Sequence, residues 1–264
     1  MKFSRTLALA LCAAALPGVM LADDDDRGSS SNNCSKLPTY NQLKAQLDIA
    51  VAAEATGLNL QMWATLVDRD GVVCAVAFSG ADRGAQWPGS RVISAQKANT
   101  ANAFSLDGLA LSTANLYSAT QPGGSLYGLQ ESNPVSVDVA YRGRSTDYGT
   151  SKDPMVGGKI GGVNVFGGGF GVYNSTKKII GGLGVSGDTS CADHRIGWRV
   201  RDGLNLDNLV GVGGVSGDAT RPDNIIFDIT ANPNGGTGKS AGGFGHAHCT
   251  ASNDGDPLTL HVVQ

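Results

Sequence analysis

The sequence predicts an α+β fold, an antiparallel sheet flanked by helices with a β-rich C-terminal extension, and three observations carry that reading. Residues 61–68 and 72–79 are apolar β-forming runs on either side of Asp68-Arg69-Asp70-Gly71, a hairpin signature. A second pair, Phe170, Val172 and Tyr173 followed by Ile179, Ile180, Leu183 and Val185, flanks the polar turn Asn174-Ser175-Thr176. Helical spacing of apolar residues covers about 40–56, 89–102 and 188–202.

In chain order, residues 1–22 carry Lys2 and Arg5, an apolar run over 7–16, then Pro17-Gly18 and Ala22 before four aspartates. This is the pattern of a secretory signal peptide, too short and wrongly flanked for a membrane span. Its removal leaves 18 basic against 23 acidic residues, a balance of −5. A mildly acidic surface argues against nucleic acid and anionic membranes as partners. No later stretch is apolar enough to cross a bilayer, so a soluble exported product, periplasmic or extracellular, is expected. Residues 23–38 read as a polar linker that cannot bury a core. Cys34, Cys74, Cys191 and Cys249 remain after cleavage; an even count in an exported chain favours two disulfides, with three pairings open.

Thr39 is expected to cap a helix in which Leu43, Leu47 and Val51 line one face, and Gly57 to stop it. Asp68 and Asp70 read as turn residues that accept local backbone hydrogen bonds rather than as a catalytic pair. Trp87, in the loop 80–88, is a plug or a stacking surface. Ser90 is expected to cap a second helix with Ile93, Lys97, Thr100, Ala101 and Phe104 near one side. A partly buried Lys97 needs a partner; otherwise it snorkels to the surface. A short helix over 109–118 leads to Gln121-Pro122-Gly123-Gly124, a tight turn whose glycines leave N–H groups able to face an anion. Residues 131–155 lack periodicity and read as a lid, an oligomer contact or a disordered loop. They carry Arg142 and Arg144, which can pair with carboxylates.

The glycines at 167–169, 181, 182 and 184 require a close neighbour, with a helix packed on the sheet favoured over a ligand platform. Asp188 or Thr189 is expected to cap the next helix. Residues 205–264 contain strand-like pieces at 224–230 and 258–263, packed on the core or on a second subunit. His246 and His248 are two apart, so in an extended strand both face one side and can hold a metal or supply an axial ligand to haem iron, with a pair that binds no metal the favoured reading. The sequence has no CxxCH, which excludes covalent c-type haem. Ser186 in GVSGD is not on a nucleophile elbow, and GGTGKS at 235–240 lacks P-loop spacing.

The motifs AQKANTANAF at 95–104, PGGSLYGL at 122–129 and GGLGVSGDT at 181–189, followed by Asp193, resemble the GlcG/HbpS family of haem-binding proteins in order and content. The resemblance spans about residues 43–204, within a domain bounded at 39–204 with 205–264 as the extension. It implies a profilin-like domain, often oligomeric, with haem or haem-degradation links in some members; with the signal-like residues 1–22 the reading is an exported haem- or tetrapyrrole-binding homo-oligomer with a non-catalytic role in storage, sensing or transport. A small-molecule catabolic enzyme of the same fold, or an oligomeric structural module, is the alternative. The cofactor-binding set for such a ligand is Lys97, Thr100, Phe104, Tyr127, Arg142, Arg144 and Phe166; the metal candidates, His246 and His248, come from their own spacing and lie outside the resemblance. The favoured disulfides join Cys34 to Cys74 and Cys191 to Cys249, each tying an extension to the family-like core.

Overall fold

Two hairpins meet edge to edge in one four-stranded antiparallel sheet. Its strands are β1 (Trp63–Asp68), β2 (Val73–Phe78), β3 (Gly169–Tyr173) and β4 (Ile179–Ser186), in the order β2-β1-β4-β3. The structure, a computed structural model, describes residues 33–236, 238–249 and 260–264. The expected signal peptide, most of the polar linker and the start of the last strand-like piece lie outside them.

The β1–β2 turn is built by Asp68, as the sequence predicts. Its buried carboxylate accepts from the N–H groups of Asp70 and Val72 at 2.9 Å and from that of Asn33 at 3.0 Å. Alternation along the strands then sorts side chains to two faces. Ala64, Leu66, Ala75, Ala77, Val172, Leu183 and Val185 face α1 (Tyr40–Ala52) and a later helix, Ser190–Gly203, which contributes Ile196 and Val200. Trp63, Val67, Val73 and Val76 face α2 (Ser90–Phe104) through Val92, Ala95 and Ala98.

On the α2 face the glycines do what a side chain would prevent. A Cβ on Gly182 would overlap the carbonyl of Ala98, and one on Gly184 the carbonyl of Ser94 and the nitrogen of Ala98. Helix and strand therefore lie backbone against backbone. Thr65 and Ser94 share a hydrogen bond of 2.8 Å across the same interface, which satisfies two hydroxyls that would otherwise be costly to bury.

Helix boundaries differ from expectation in three places. Thr39 caps α1 through a full capping box, but the helix ends at Ala52, short of Gly57. Beyond it Glu54 turns its carboxylate to Thr56 and Arg199. Ser90 is the first residue of α2 and not its cap; Gly89 holds that position without a side-chain bond. The helix expected over 109–118 is a 3₁₀ turn, Thr113–Leu116, followed by α3 (Tyr117–Thr120). Upstream, Leu109 and Ala110 are drawn into extended pairing with Leu106 and Gly213.

The stretch 131–155 is an ordered strap. It contains α4 (Val137–Ala140) and a 3₁₀ turn, Ser145–Asp147. Arg91 of α2 holds it from beneath: the guanidinium donates to Asp153 at 2.8 Å and to the Ala140 carbonyl at 2.7 Å, and lies 3.7 Å from the Tyr148 ring centre. The helix Ser190–Gly203 is α5, and Thr189 caps it by accepting from the Ala192 N–H.

After α5 the strand content is lower than the pattern predicts. The piece at 224–230 contributes only β5 (Ile229–Thr230), paired with β6 (Lys239–Ser240), and residues 260–264 form no strand. Leu206, Leu209, Val212, Leu260 and Val263 enter the buried clusters of the same chain. The cysteines pair as Cys34–Cys74 and Cys191–Cys249. Among the described residues no helix is long and apolar enough to cross a membrane.

Gly184→Ala is expected to destabilise the fold by about 3 kcal/mol, because the added methyl overpacks a backbone contact. Gly108→Ala, where a Cβ would meet nothing within 4 Å, should stay within about 0.5 kcal/mol of wild type. Urea denaturation of both variants checks the contrast.

Candidate functional site

Where β3 begins and β4 ends, the sheet leaves a gap at Gly168, and Lys97 of α2 reaches through it. Its ammonium donates to Asp193 of α5 at 2.7 Å and to the Val185 carbonyl at 3.2 Å, and both side chains are almost wholly buried. A Cβ on Gly168 would lie 3.2 Å from the Lys97 nitrogen. Lys97 therefore does not snorkel: it is buried and paired, and joins the helix layers on the two sides of the sheet. Asp193 also accepts from the N–H groups of Gly187 and Asp188 at 3.1 and 2.9 Å. Burial pushes its carboxyl up to about 6, against the opposing pull of Lys97.

His194, next along α5, is equally enclosed. Its ring sits 4.7 Å from Phe170, and Nε2 lies 3.2 Å from both Asn224 Oδ1 and the Ile225 nitrogen. Desolvation drives its pKa down to about 3, so it is neutral at physiological pH.

On the outside of this end of the sheet is a depression of about 240 Å³. It is lined by Tyr117, Phe166, Thr189, Ser190 and residues 246–249. The Tyr117 ring centre is 4.7 Å from His246 and 6.1 Å from Phe166, and Phe166 is 6.5 Å from His246. His246 is buried, and its Nδ1–H donates to the Ala247 carbonyl at 2.6 Å; that bond leaves Nε2 as the nitrogen carrying the lone pair. His248 is exposed and stacks on Phe227 at 4.5 Å. The Cys191–Cys249 disulfide fastens this segment to the first turn of α5.

The expected ligand set is only partly convergent. Phe166, His246 and His248 come together in the depression. Phe104 packs instead with Leu111, Leu116 and Val165. Thr100 is buried, donating to the Gln96 carbonyl and accepting from the Asn164 N–H. Tyr127 is 67% exposed. Arg142 donates to the carbonyls of Pro154 and Val156, and Arg144 precedes the 3₁₀ turn of the strap. The two histidines do not sit in a regular strand, and His246 is grouped with Cys191 and Cys249, whose sulfurs are already bonded to each other. Tyr117, missed in the sequence, touches residues 49 and 129 positions away, and no local spacing marks it.

Fold and depression together define an α+β domain with an aromatic, histidine-bearing recess at one end of its sheet. The chain belongs to the HbpS-like family, whose model, described as "Haem degrading protein HbpS-like", matches residues 42–202. Similar solved structures include a PduOC–haem complex, 23% identical, covering 64% of this chain and 96% of that one with a TM-score of 0.43. A Klebsiella pneumoniae protein, ORFY, is 26% identical, with 63% and 90% covered and a TM-score of 0.42. HbpS itself is 14% identical, with 72% and 99% covered and a TM-score of 0.39. No curated protein matches the chain.

Lys97→Met is expected to cost about 3 kcal/mol near neutral pH, since it strands a buried carboxylate. Asp193 is raised from 3.8 to about 6, so the folded state binds more protons in that window and stability from this group falls as pH rises through it. The cost of Lys97→Met should therefore shrink at about pH 5, which denaturant melts at two pH values would show.

His194 works in the opposite sense. With its pKa lowered from 6.5 to about 3, the unfolded chain takes the proton first, and stability is lost as pH falls through that interval. His194→Gln should gain on wild type by up to about 1.4 kcal/mol per pH unit there; thermal melts across the interval read the difference.

Proposed function

We propose that this chain is an exported haem- or tetrapyrrole-binding protein that holds its ligand without turning it over. Membership of the HbpS-like family supports haem as the ligand class. The observation that carries the reading for this chain is the meeting of Tyr117, Phe166 and His246 in one recess. Flat apolar rings against an imidazole suit a macrocycle with a metal at its centre, since the faces exclude water and the nitrogen is a ligand.

The donor chemistry fits haem in type: Phe166 and Tyr117 would cover part of one macrocycle face, and His246, whose Nε2 is buried, would have to turn outward to reach the iron. At about 240 Å³ the recess is smaller than the ~300 Å³ at which pockets enclose most of a ligand, so it would hold only part of a macrocycle. Haem would supply redox and axial-ligand chemistry; the protein supplies the apolar wall and a histidine whose tautomer is set by Ala247. Consistent with a non-catalytic role, Asp193, whose carboxyl is raised by burial, is closed behind Gly168 and engaged by Lys97. Two disulfides and the signal-like residues 1–22 support export.

A visible-spectrum haem titration of the oxidised protein tests the reading. One haem per chain with a saturable Soret shift is expected. His246→Ala should weaken binding about tenfold or more, the loss of a ligand-bearing contact, while Arg142→Ala/Arg144→Ala should leave it unchanged. Unsaturable binding by wild type, or an unaffected His246→Ala, would contradict it.

A further inference from the structure

A second cavity, of about 360 Å³, lies on the other side of the 117–118 and 245–246 segments. It is lined by Ser118, Ala119, residues 121–125, residues 238–240 and Gly243. Two sequence features with no role in the aromatic recess meet here: the Gln121-Pro122-Gly123-Gly124 turn and the lysine of the glycine-rich segment 235–240.

We propose that this cavity is an anion site that takes a phosphate or carboxylate group. Three properties of the walls support it. First, the turn is held open-handed. The Gly124 N–H donates to the Gln121 carbonyl at 2.8 Å, and a Cβ on Gly124 would overlap the Ala119 carbonyl, which keeps that stretch of backbone bare. Gly123 has φ +84°, and the N–H groups of Gly123 and Ser125 donate to no partner among the described residues. Backbone donors in such a turn form a concavity suited to anions.

Second, the opposite wall brings a cation. Lys239 is exposed at the rim and makes no ion pair among the described residues. Third, the framework beneath it is rigid. Ser240 donates to Asp228 at 2.7 Å and accepts from the N–H groups of Gly243 and Gly245 at 2.9 and 3.0 Å. Asp228, the acid on this wall, is turned away to Ser240 and the Gly242 N–H. Ser118 closes the junction by donating to the Gly245 carbonyl at 2.6 Å.

The anion has two sources with the same chemistry. It is a free phosphate or carboxylate metabolite, or it is a carboxylate arm of a ligand seated in the adjoining recess. The cavity as an anion site does not depend on the haem reading, because its donors are separate from Tyr117, Phe166 and His246.

Calorimetric titration of the oxidised protein with inorganic phosphate, and separately with haem, decides it at about 0.15 M salt, where surface charge is screened. Lys239→Ala is compared with Lys36→Ala, an exposed lysine elsewhere. Saturable phosphate binding weakened about tenfold by Lys239→Ala alone, the loss of one charge-assisted contact, assigns a free anion. Haem affinity weakened by Lys239→Ala alone, with no phosphate binding, assigns the carboxylate arm. If Lys239→Ala changes neither titration, the site is overturned, whether or not haem binds.

Discussion

The structure depends on how closely α2 approaches β4. Gly182 and Gly184 remove the side chains that would hold helix and strand at the usual distance, so Ala98 and Ser94 carbonyls rest against strand backbone. Such a contact leaves no room for a ligand between helix and sheet. It also pulls Lys97 deep enough to pass the sheet at Gly168 and meet Asp193 on the far side. A buried ion pair of this kind contributes little net stability but is costly to break singly, and here it fixes the relative placement of the layers.

Since the centre is closed, the proposed haem site lies at the rim. There the family domain supplies Tyr117, Phe166 and the start of α5, and the extension supplies His246 and His248. The Cys191–Cys249 disulfide holds these two contributions together. The same junction separates the aromatic recess from the cavity bearing Lys239, so one wall of each is made by residues that follow the family-matched region.

Features set by local chemistry were readable in the sequence. The Asp68 turn, the Thr39 and Thr189 caps and both hairpins depend on residues a few positions apart. The glycine-dense strand was readable as a close contact because few other pressures keep side chains out of a strand. The resemblance pointed to the family and to the disulfide pairing, which composition alone left open. The partner of Lys97, the convergence of Tyr117 with His246 and the clamp from Arg91 to Asp153 depend on tertiary placement over 96, 129 and 62 positions. Periodicity carries no information at such separations. The helix expected at 109–118 failed for a related reason: Gly213 pairs with Leu109 and Ala110, and that pairing wins over local propensity.

The most direct test of this account is to add haem to isotopically labelled protein and map which backbone resonances the paramagnetic iron broadens. A closed centre with a rim site predicts broadening concentrated at Tyr117, Phe166, Ser190 and residues 246–249, with Gly182 and Gly184 unaffected. Broadening centred on the β4 glycines and Thr100, or on Tyr127, Arg142 and Arg144, would contradict it.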